Sequence, residues 1–175
     1  MTKQEIIERI EELFYEKSFA EVSMQDIATK IGMKKASLYY HFPSKEQLIG
    51  EVLDYSFGVY LIFINEIIKN WNENNFLELL QEFLDFGDKN KNIFSIINQN
   101  GYEENDDITN HNKEKQKIIF DTIHKAMETK NGFSKEKTFL FLTIINQIGR
   151  KKSIYNLCEI DKNKILGEIE KLFFN

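Results

Sequence analysis

The sequence predicts an all-α protein, with three short N-terminal helices in a helix-turn-helix pattern followed by a larger helical domain. One proline and eight glycines in 175 residues leave few positions for hairpin turns. Apolar residues recur at spacings of three and four rather than in strict alternation, which favours helices over strands. The 42% hydrophobic and 29% charged residues are ordinary for a globular protein with a proper core.

Composition also indicates the compartment. The single cysteine, Cys158, excludes an internal disulfide and a cysteine-cluster metal site, and suits a reducing cytoplasm. The N-terminus has no apolar core of a signal peptide, and the longest apolar run, Val59–Ile64, is too short to span a bilayer. We therefore expect a cytoplasmic protein that does not enter a membrane.

The first three helices are predicted from apolar stripes and end signals. Lys3–Lys17 carries an apolar stripe at helical spacing. Ser23 is a good N-cap, and Asp26 three residues later completes a capping box, so a second helix begins there. Gly32 ends it as a left-handed C-cap. A third helix begins within two or three residues and reaches His41.

Two short helices joined by a glycine turn and braced by a longer helix form a helix-turn-helix, whose second member enters the major groove of DNA. Although the net charge is −5, residues 27–45 contain no Asp or Glu. A local basic surface matters more to DNA than the total charge. The alternative is a three-helix bundle with an exposed polar face. The lysines of this segment are Lys30, Lys34, Lys35 and Lys45.

The run from Ser23 to Leu48 closely resembles the DNA-binding segment of the TetR family of transcriptional repressors. The Ile-Ala pair, Gly32 at the turn, the run Leu38–Phe42, and Ser44-Lys45-Glu46 have that family's relative spacing. The resemblance covers about the first 55 residues. It implies a ligand-responsive transcriptional repressor that binds an inverted-repeat operator as a homodimer and is released by a small-molecule effector.

The resemblance also implies individual roles. One set matches positions facing base edges, namely Gln25, Lys35, Ala36, Ser37 and Tyr39. A second set matches positions reaching phosphates, namely Ser23, Lys34, Tyr40, His41 and Lys45. A capping box of Ser44 with Gln47 places Lys45 beside helix N-terminal amides, which supports its assignment. His41 has an equal alternative as a partly buried residue bonded to backbone, and Lys30 is expected to be solvated.

The pattern divides the chain into residues 1–46, the DNA-binding domain, and residues 47–175, the helical ligand-binding and dimerisation domain. A long helix from Ser44 to about Asn70 connects them. An acidic loop, Gly101–Asn112, offers carboxylates and His111, but a metal site there is the minor alternative. The other helices are predicted at Asn75–Phe86, Asn92–Gln99, Lys113–Lys130, Ser134 to about Lys151, and from Asp161 onward.

The last two helices are the predicted dimer interface. The segment Phe139–Ile148 is apolar around nearly its whole circumference and needs cover on every side. In the TetR family the two C-terminal helices of each subunit form an intersubunit four-helix bundle. Burial within one chain is the alternative.

The effector site is predicted from polar residues on apolar stripes, since a pocket is mostly apolar with a few placed polar groups. This criterion selects Asn98, His124, Asn146 and Gln147, with Phe94 and Phe120 as walls.

Enzyme motifs are missing from the sequence: it contains no G-x-G-x-x-G, P-loop, H-E-x-x-H or G-x-S-x-G. We expect no enzymatic activity, no cofactor and no bound metal. The alternative function is a small-molecule binding or interaction module that keeps a helix-turn-helix without operator-specific repression.

Overall fold

The computed structural model describes residues 1–71, 75–99, 106–150 and 161–174, with the side chains of 148–150, 162 and 163 left out. Across these ranges the regular secondary structure consists of nine α-helices and no strand, so the all-α prediction is confirmed. The helices are α1 (Lys3–Glu16), α2 (Met24–Lys30), α3 (Lys35–His41), α4 (Lys45–Asn70), α5 (Phe76–Lys89), α6 (Lys91–Ile97), α7 (Asp106–Asn131), α8 (Lys135–Arg150) and α9 (Lys162–Phe174).

The predicted acidic loop over residues 101–112 is wrong from residue 106 onward, because α7 begins at Asp106. Acidic residues in a first turn are favoured by the helix dipole, so Asp106 and Asp107 belong there. The turn is also anchored, since Ile108 and Asn112 are only 6% and 5% exposed. The polar composition hid the buried face of this turn. Residues 101–105 of that segment lie outside the described residues.

The chain forms two compact units that do not follow its order. The first contains Met1–Ile62 with Asn90–Lys117, and the second contains Phe63–Lys89 with Ile118–Asn175. The predicted division between residues 46 and 47 falls inside α4, and the compact units divide the chain elsewhere. The functional division into residues 1–46 and 47–175 stays a prediction.

The core of the first unit joins α1 through α4 around fully buried aliphatic and aromatic side chains. Each such side chain contributes about 1.5–3 kcal/mol when removed from water. Because α3 supplies a single deeply buried residue, Leu38, its orientation depends on that residue and on Phe42 just after it. The fully buried side chains include Ile6, Ile10, Phe14, Val22, Ile27, Ala28, Leu38, Phe42, Leu48, Ile49, Val52, Leu53 and, from α6, Ile96.

The second unit is built around aromatic rings. Phe133 lies 5.1 Å from Phe174 and 6.3 Å from Phe141, measured between ring centroids. Phe76 lies 4.2 Å from Phe174. Such offset and edge contacts add to the burial of large apolar surfaces. The abundance of Phe in the sequence therefore has a direct structural use in this unit.

By length and composition, α4 is the one helix in the described part of the chain that is long and apolar enough to cross a membrane. Within its most apolar stretch, 44% of the residues are buried inside the protein. Its residues Leu48, Ile49, Val52 and Leu53 have no exposed surface, as expected of a core helix.

Candidate DNA-binding interface

The start of α2 is fixed by the capping box that the sequence predicts. The Asp26 N–H donates to the Ser23 hydroxyl at 3.1 Å, and the Ser23 N–H donates to the Asp26 carboxylate at 2.9 Å. The Ser23 hydroxyl donates to the same carboxylate at 2.6 Å. These hydrogen bonds hold the pKa of Asp26 below its ordinary value, since they stabilise its charged form. Both donors of Ser23 are thus engaged locally, although its side chain is exposed.

The turn between α2 and α3 depends on Gly32, which has a φ of 69°. The Gly32 N–H donates to the Thr29 carbonyl at 3.2 Å, and the Met33 N–H donates to the Ala28 carbonyl at 2.9 Å. This pair of bonds is the Schellman motif, which needs a left-handed residue at the position of Gly32. The predicted C-cap is confirmed, and it sets the angle at which α3 leaves α2.

Buried on one side by Leu38, α3 presents its opposite face to solvent. Tyr40 is 88% exposed and Tyr39 is 41% exposed, so both rings are accessible to a partner. Between them and the helix N-terminus lie Lys34, Lys35, Ala36 and Ser37, all exposed.

The four lysines of residues 27–45 have different surroundings. Lys30 forms an ion pair with Glu12, so it is not simply solvated as predicted. Lys45 is half-buried, and its ammonium donates to the Ala20 carbonyl at 3.2 Å. Lys35 is exposed, with its Nζ 5.8 Å from the centre of the Tyr39 ring. Lys34 is exposed at the N-cap of α3. The cationic part of the surface is therefore concentrated at the start of α3.

The remaining predicted contacts lie around this face. Gln25 is exposed on α2, where its side-chain amide donates to Thr29 at 3.3 Å. His41 is half-buried, with its ring 5.7 Å from Tyr40 and 6.4 Å from Phe42. Among the described residues His41 has ring contacts and no hydrogen bond to backbone, and both its phosphate contact and its structural alternative stay predictions.

One of the two hydrogen bonds of the capping box predicted at the start of α4 is present. The Gln47 N–H donates to the Ser44 hydroxyl at 3.1 Å, while the Gln47 side chain donates to Glu51 at 3.2 Å. Ser44 therefore starts α4, so Lys45 occupies the first helical position beside free amide groups of the first turn.

Residues 6–52 match the family model described as "Bacterial regulatory proteins, tetR family". This segment is similar to the DNA-binding domain of that family. The resemblance seen in the sequence is confirmed, because the matched segment contains α1, α2, α3 and the start of α4.

Curated relatives match the same part of the chain. The biofilm operon icaADBC negative transcriptional regulator IcaR of Staphylococcus epidermidis is 33% identical over 82 residues, covering 47% of this chain and 43% of the relative. IcaR of Staphylococcus aureus strain Newman is 37% identical over 84 residues, with the same coverage of both chains. The matched segment thus spans less than half the length of these relatives.

Solved structures share the fold over nearly the whole chain. A transcriptional regulator from Aquifex aeolicus has a TM-score of 0.72 at 24% identity, over 99% of this chain and 100% of that one. A TetR regulator from Legionella pneumophila has a TM-score of 0.75 at 21% identity, over 99% and 97%. AibR, solved with isovaleryl coenzyme A and operator DNA, has a TM-score of 0.67 at 19% identity, over 98% and 97%.

Outside the matched segment, the six predicted effector residues are divided between the two compact units. Phe94 and Asn98 belong to the first compact unit, where the Asn98 amide donates to the Phe94 carbonyl at 2.8 Å and caps α6. His124 is buried in the second unit and pairs with Thr138 at 3.1 Å. The other three also lie in the second unit: half-buried Phe120, stacked on His124, half-buried Asn146 and exposed Gln147.

The second unit contains a cavity whose lining side chains in the described structure are all apolar. Polar residues on apolar stripes, the criterion applied to the sequence, therefore do not mark it. None of the six predicted residues is among its walls. Its signal in the sequence was the closely spaced apolar set at the end of α4. The lining consists of Ile64, Ile67, Ile68, Trp71, Phe76, Leu79, Leu80, Phe83, Ile123, Phe141, Leu142 and Ile145. The effector set itself stays a prediction.

The predicted dimer helix α8 is apolar on two sides, and the described residues cover only one of them. Phe141 and Ile145 are 6% and 1% exposed, whereas Phe139 and Leu140 are 61% and 56% exposed. On α9, Leu172 is 69% exposed. Ile148 lies among the residues whose side chains are not described.

Proposed function

We propose that this protein is a ligand-responsive transcriptional repressor of the TetR family, which binds an inverted-repeat operator in duplex DNA as a homodimer in the cytoplasm. One observation carries the proposal. A helix-turn-helix held by a capping box and a Schellman turn presents exposed Lys34, Lys35, Ser37 and Tyr39 on α3, in a segment without any Asp or Glu. Duplex DNA is the partner that such a helix fits, by width and by charge.

The exposed side chains divide into two roles by their chemistry. Lys35 and Ser37 carry donors that can bond guanine acceptors in the major groove, and Ala36 can contact the thymine methyl group. Lys34, Tyr40 and His41 reach phosphates, which fixes register without reading sequence. Gln25 and Tyr39 face base edges, and Ser23 and Lys45 add phosphate contacts if their present hydrogen bonds are exchanged.

Dimerisation is supported by the exposed apolar side chains on α8 and α9. Phe139, Leu140 and Leu172 are large, and a second copy of the chain covers them at no cost in buried polar groups. A two-fold dimer requires an operator with two inverted half-sites, whose centres lie about 34–36 Å apart or at a multiple of that distance.

Release by an effector follows from linkage. A ligand bound in the helical domain weakens DNA binding only if it favours a spacing of the two reading helices that the operator does not match, and DNA then weakens ligand binding equally. AibR was solved with both a ligand and operator DNA, which shows that one protein of this fold holds both partners. The coupling is expected at about 1–3 kcal/mol. We assign no enzymatic activity, in keeping with the family.

The testing experiment measures fluorescence anisotropy of labelled duplex from upstream of the protein's own gene, at two salt concentrations. We expect tight binding that weakens steeply with salt, because phosphate contacts release counterions. The double variant Lys34→Ala/Lys35→Ala should lose most of this affinity. Lys125→Ala/Lys135→Ala is the matched control, since it also removes two exposed positive charges, both in the other compact unit.

Two results would contradict the proposal. Equal losses in the control and in the double variant would mean that α3 has no special role. No salt-dependent DNA binding by the parent protein would favour the alternative function, a small-molecule binding or interaction module that keeps a helix-turn-helix.

A further inference from the structure

At the C-terminus of α1, the Phe14 carbonyl receives no hydrogen bond from within the helix. The last helical bond of α1 runs from the Lys17 N–H to the Leu13 carbonyl at 3.0 Å. The next donor along the chain, the Ser18 N–H, donates instead to the Glu21 carboxylate at 2.8 Å. The Phe14 carbonyl is therefore left without its intrahelical donor, as is usual for the last turn of a helix.

Gln99, just beyond the end of α6, supplies the missing partner. Its Nε2 donates to the Phe14 carbonyl at 2.7 Å and, at the longer distance of 3.5 Å, to the Lys17 carbonyl. Its Oε1 accepts from the Phe19 N–H at 3.1 Å. One side chain from a distant part of the sequence thus binds both an acceptor and a donor at the end of α1.

The residues whose backbone groups Gln99 binds are almost fully buried. Phe14 and Phe19 are 1% and 2% exposed, and their rings meet edge to face at 5.1 Å. A second α6 residue, Ser95, donates to the same Phe14 carbonyl at 3.4 Å. Loss of Gln99 would leave the Phe19 N–H unpaired and the Phe14 carbonyl with only the longer bond from Ser95, which is costly.

Gln99 is itself held in place from α7. Its carbonyl accepts from the side-chain amide of Asn112 at 2.8 Å, and Asn112 is only 5% exposed. The Gln116 amide donates to the Ile97 carbonyl of α6 at 3.0 Å. Every residue in this network belongs to the first compact unit, which also contains the helix-turn-helix.

We propose that Gln99 is a positioning residue for DNA reading, a role that rests on the proposed function. By capping α1 and holding the Phe19 N–H, it fixes the connection that leads directly to Ser23, the N-cap of α2. The orientation of α3 depends on α2 and on the Gly32 turn. Gln99 therefore influences α3 through the backbone that runs from the end of α1 through α2 to this turn. α6 and the first half of α7 thereby belong to the DNA-reading unit, although they lie outside residues 1–46.

The test uses Gln99→Leu in the full chain, which keeps the side-chain volume and removes both hydrogen-bonding groups. Asn92→Leu is the matched control, an equivalent change on α6 at a residue with no hydrogen bond to α1 in the described structure. Two measurements are made: amide hydrogen exchange by residue, and affinity for the duplex enriched from a random library by the parent protein.

We expect Gln99→Leu to expose the Phe19 amide to exchange, to leave exchange in α8 and α9 unchanged, and to weaken DNA binding at least about fivefold, or about 1 kcal/mol. Asn92→Leu should change neither measurement by as much. Unchanged protection of the Phe19 amide overturns the proposal, and so does faster exchange throughout α8 and α9, which would mark a general stabilising role.

DNA affinity equal to that of the parent, with the Phe19 amide exposed, overturns it as well. If the parent enriches no duplex, the proposed function fails. The exchange measurement then still reports whether Gln99 holds the end of α1, so the two failures are distinguishable.

Discussion

Replacing Gly32 by alanine tests whether the turn of the helix-turn-helix needs left-handed backbone. Gly32 has a φ of 69°, and a Cβ added there would meet nothing within 4 Å. A steric clash with neighbours therefore contributes nothing, and the effect is confined to backbone conformation. The same conditions hold at Gly132, with a φ of 64°, in the other compact unit.

The expected magnitude follows from two opposing contributions. An L-residue in left-handed conformation costs about 1–2 kcal/mol. Alanine also restricts the unfolded chain, which returns about 0.4–1 kcal/mol of stability. The free energy of unfolding should fall by about 1 kcal/mol for Gly32→Ala, and by a similar amount for Gly132→Ala. Gly32→Asn should cost less than Gly32→Ala, since asparagine adopts this conformation more readily.

The two alanine variants should differ in DNA binding. Strain at residue 32 is relieved by rotating α3 relative to α2, which misaligns the reading helix, whereas strain at residue 132 lies beyond the end of α7. The assay is chemical unfolding at one fixed protein concentration, paired with anisotropy on the enriched duplex. An unfolding free energy for Gly32→Ala equal to that of the parent, or lower stability for asparagine than for alanine, would refute the reasoning.

Three further predictions concern other parts of the chain. Lys35→Ala should relax the preference at one symmetric base pair at a cost of about 1–3 kcal/mol per half-site, whereas Lys34→Ala should weaken binding to all operator variants alike and flatten the slope of log K against log salt by about one unit per contact. If both variants lose affinity uniformly across a single-base operator library, Lys35 is a phosphate contact. Leu140→Glu should give monomers by light scattering because Leu140 is 56% exposed, whereas a charged residue at Ile145, which is 1% exposed, should unfold the chain. A stable dimer of Leu140→Glu would place the interface elsewhere. Burial, with a smaller contribution from neighbouring Glu8, raises the pKa of the Glu11 carboxyl to about 7, so between about pH 4.5 and 7 the folded state holds a proton that the unfolded state has lost, and stability falls as pH rises. Glu11→Gln should therefore stabilise the protein more at about pH 8 than at about pH 5, and equal gains at the two pH values would contradict this prediction.

The local features of the DNA-binding half could be predicted from the sequence because they depend on neighbours in the chain. The capping box needs only Ser23 and Asp26, and the turn needs only a glycine at position 32. The face of α3 followed from helical spacing around Leu38.

Features that depend on distant contacts could not be predicted in this way. Gln99 gave no local signal, because its partners at the end of α1 lie some eighty positions earlier in the chain. The first turn of α7 read as a polar loop, since a single buried isoleucine, Ile108, and the amide of Asn112 are too few to mark a helix. The cavity of the second unit was missed because polar residues were used to search for it, and its described walls are apolar.

The most direct test of the central claim is selection of bound duplexes from a random library by the purified protein, followed by affinity measurement of the enriched sequence. The account predicts an inverted repeat whose half-sites are about one helical turn apart or a multiple of it. It also predicts that Lys34→Ala/Lys35→Ala fails to enrich that sequence. Enrichment of no common sequence, or of a motif without two-fold symmetry that the double variant still selects, would contradict the claim that α3 reads an operator.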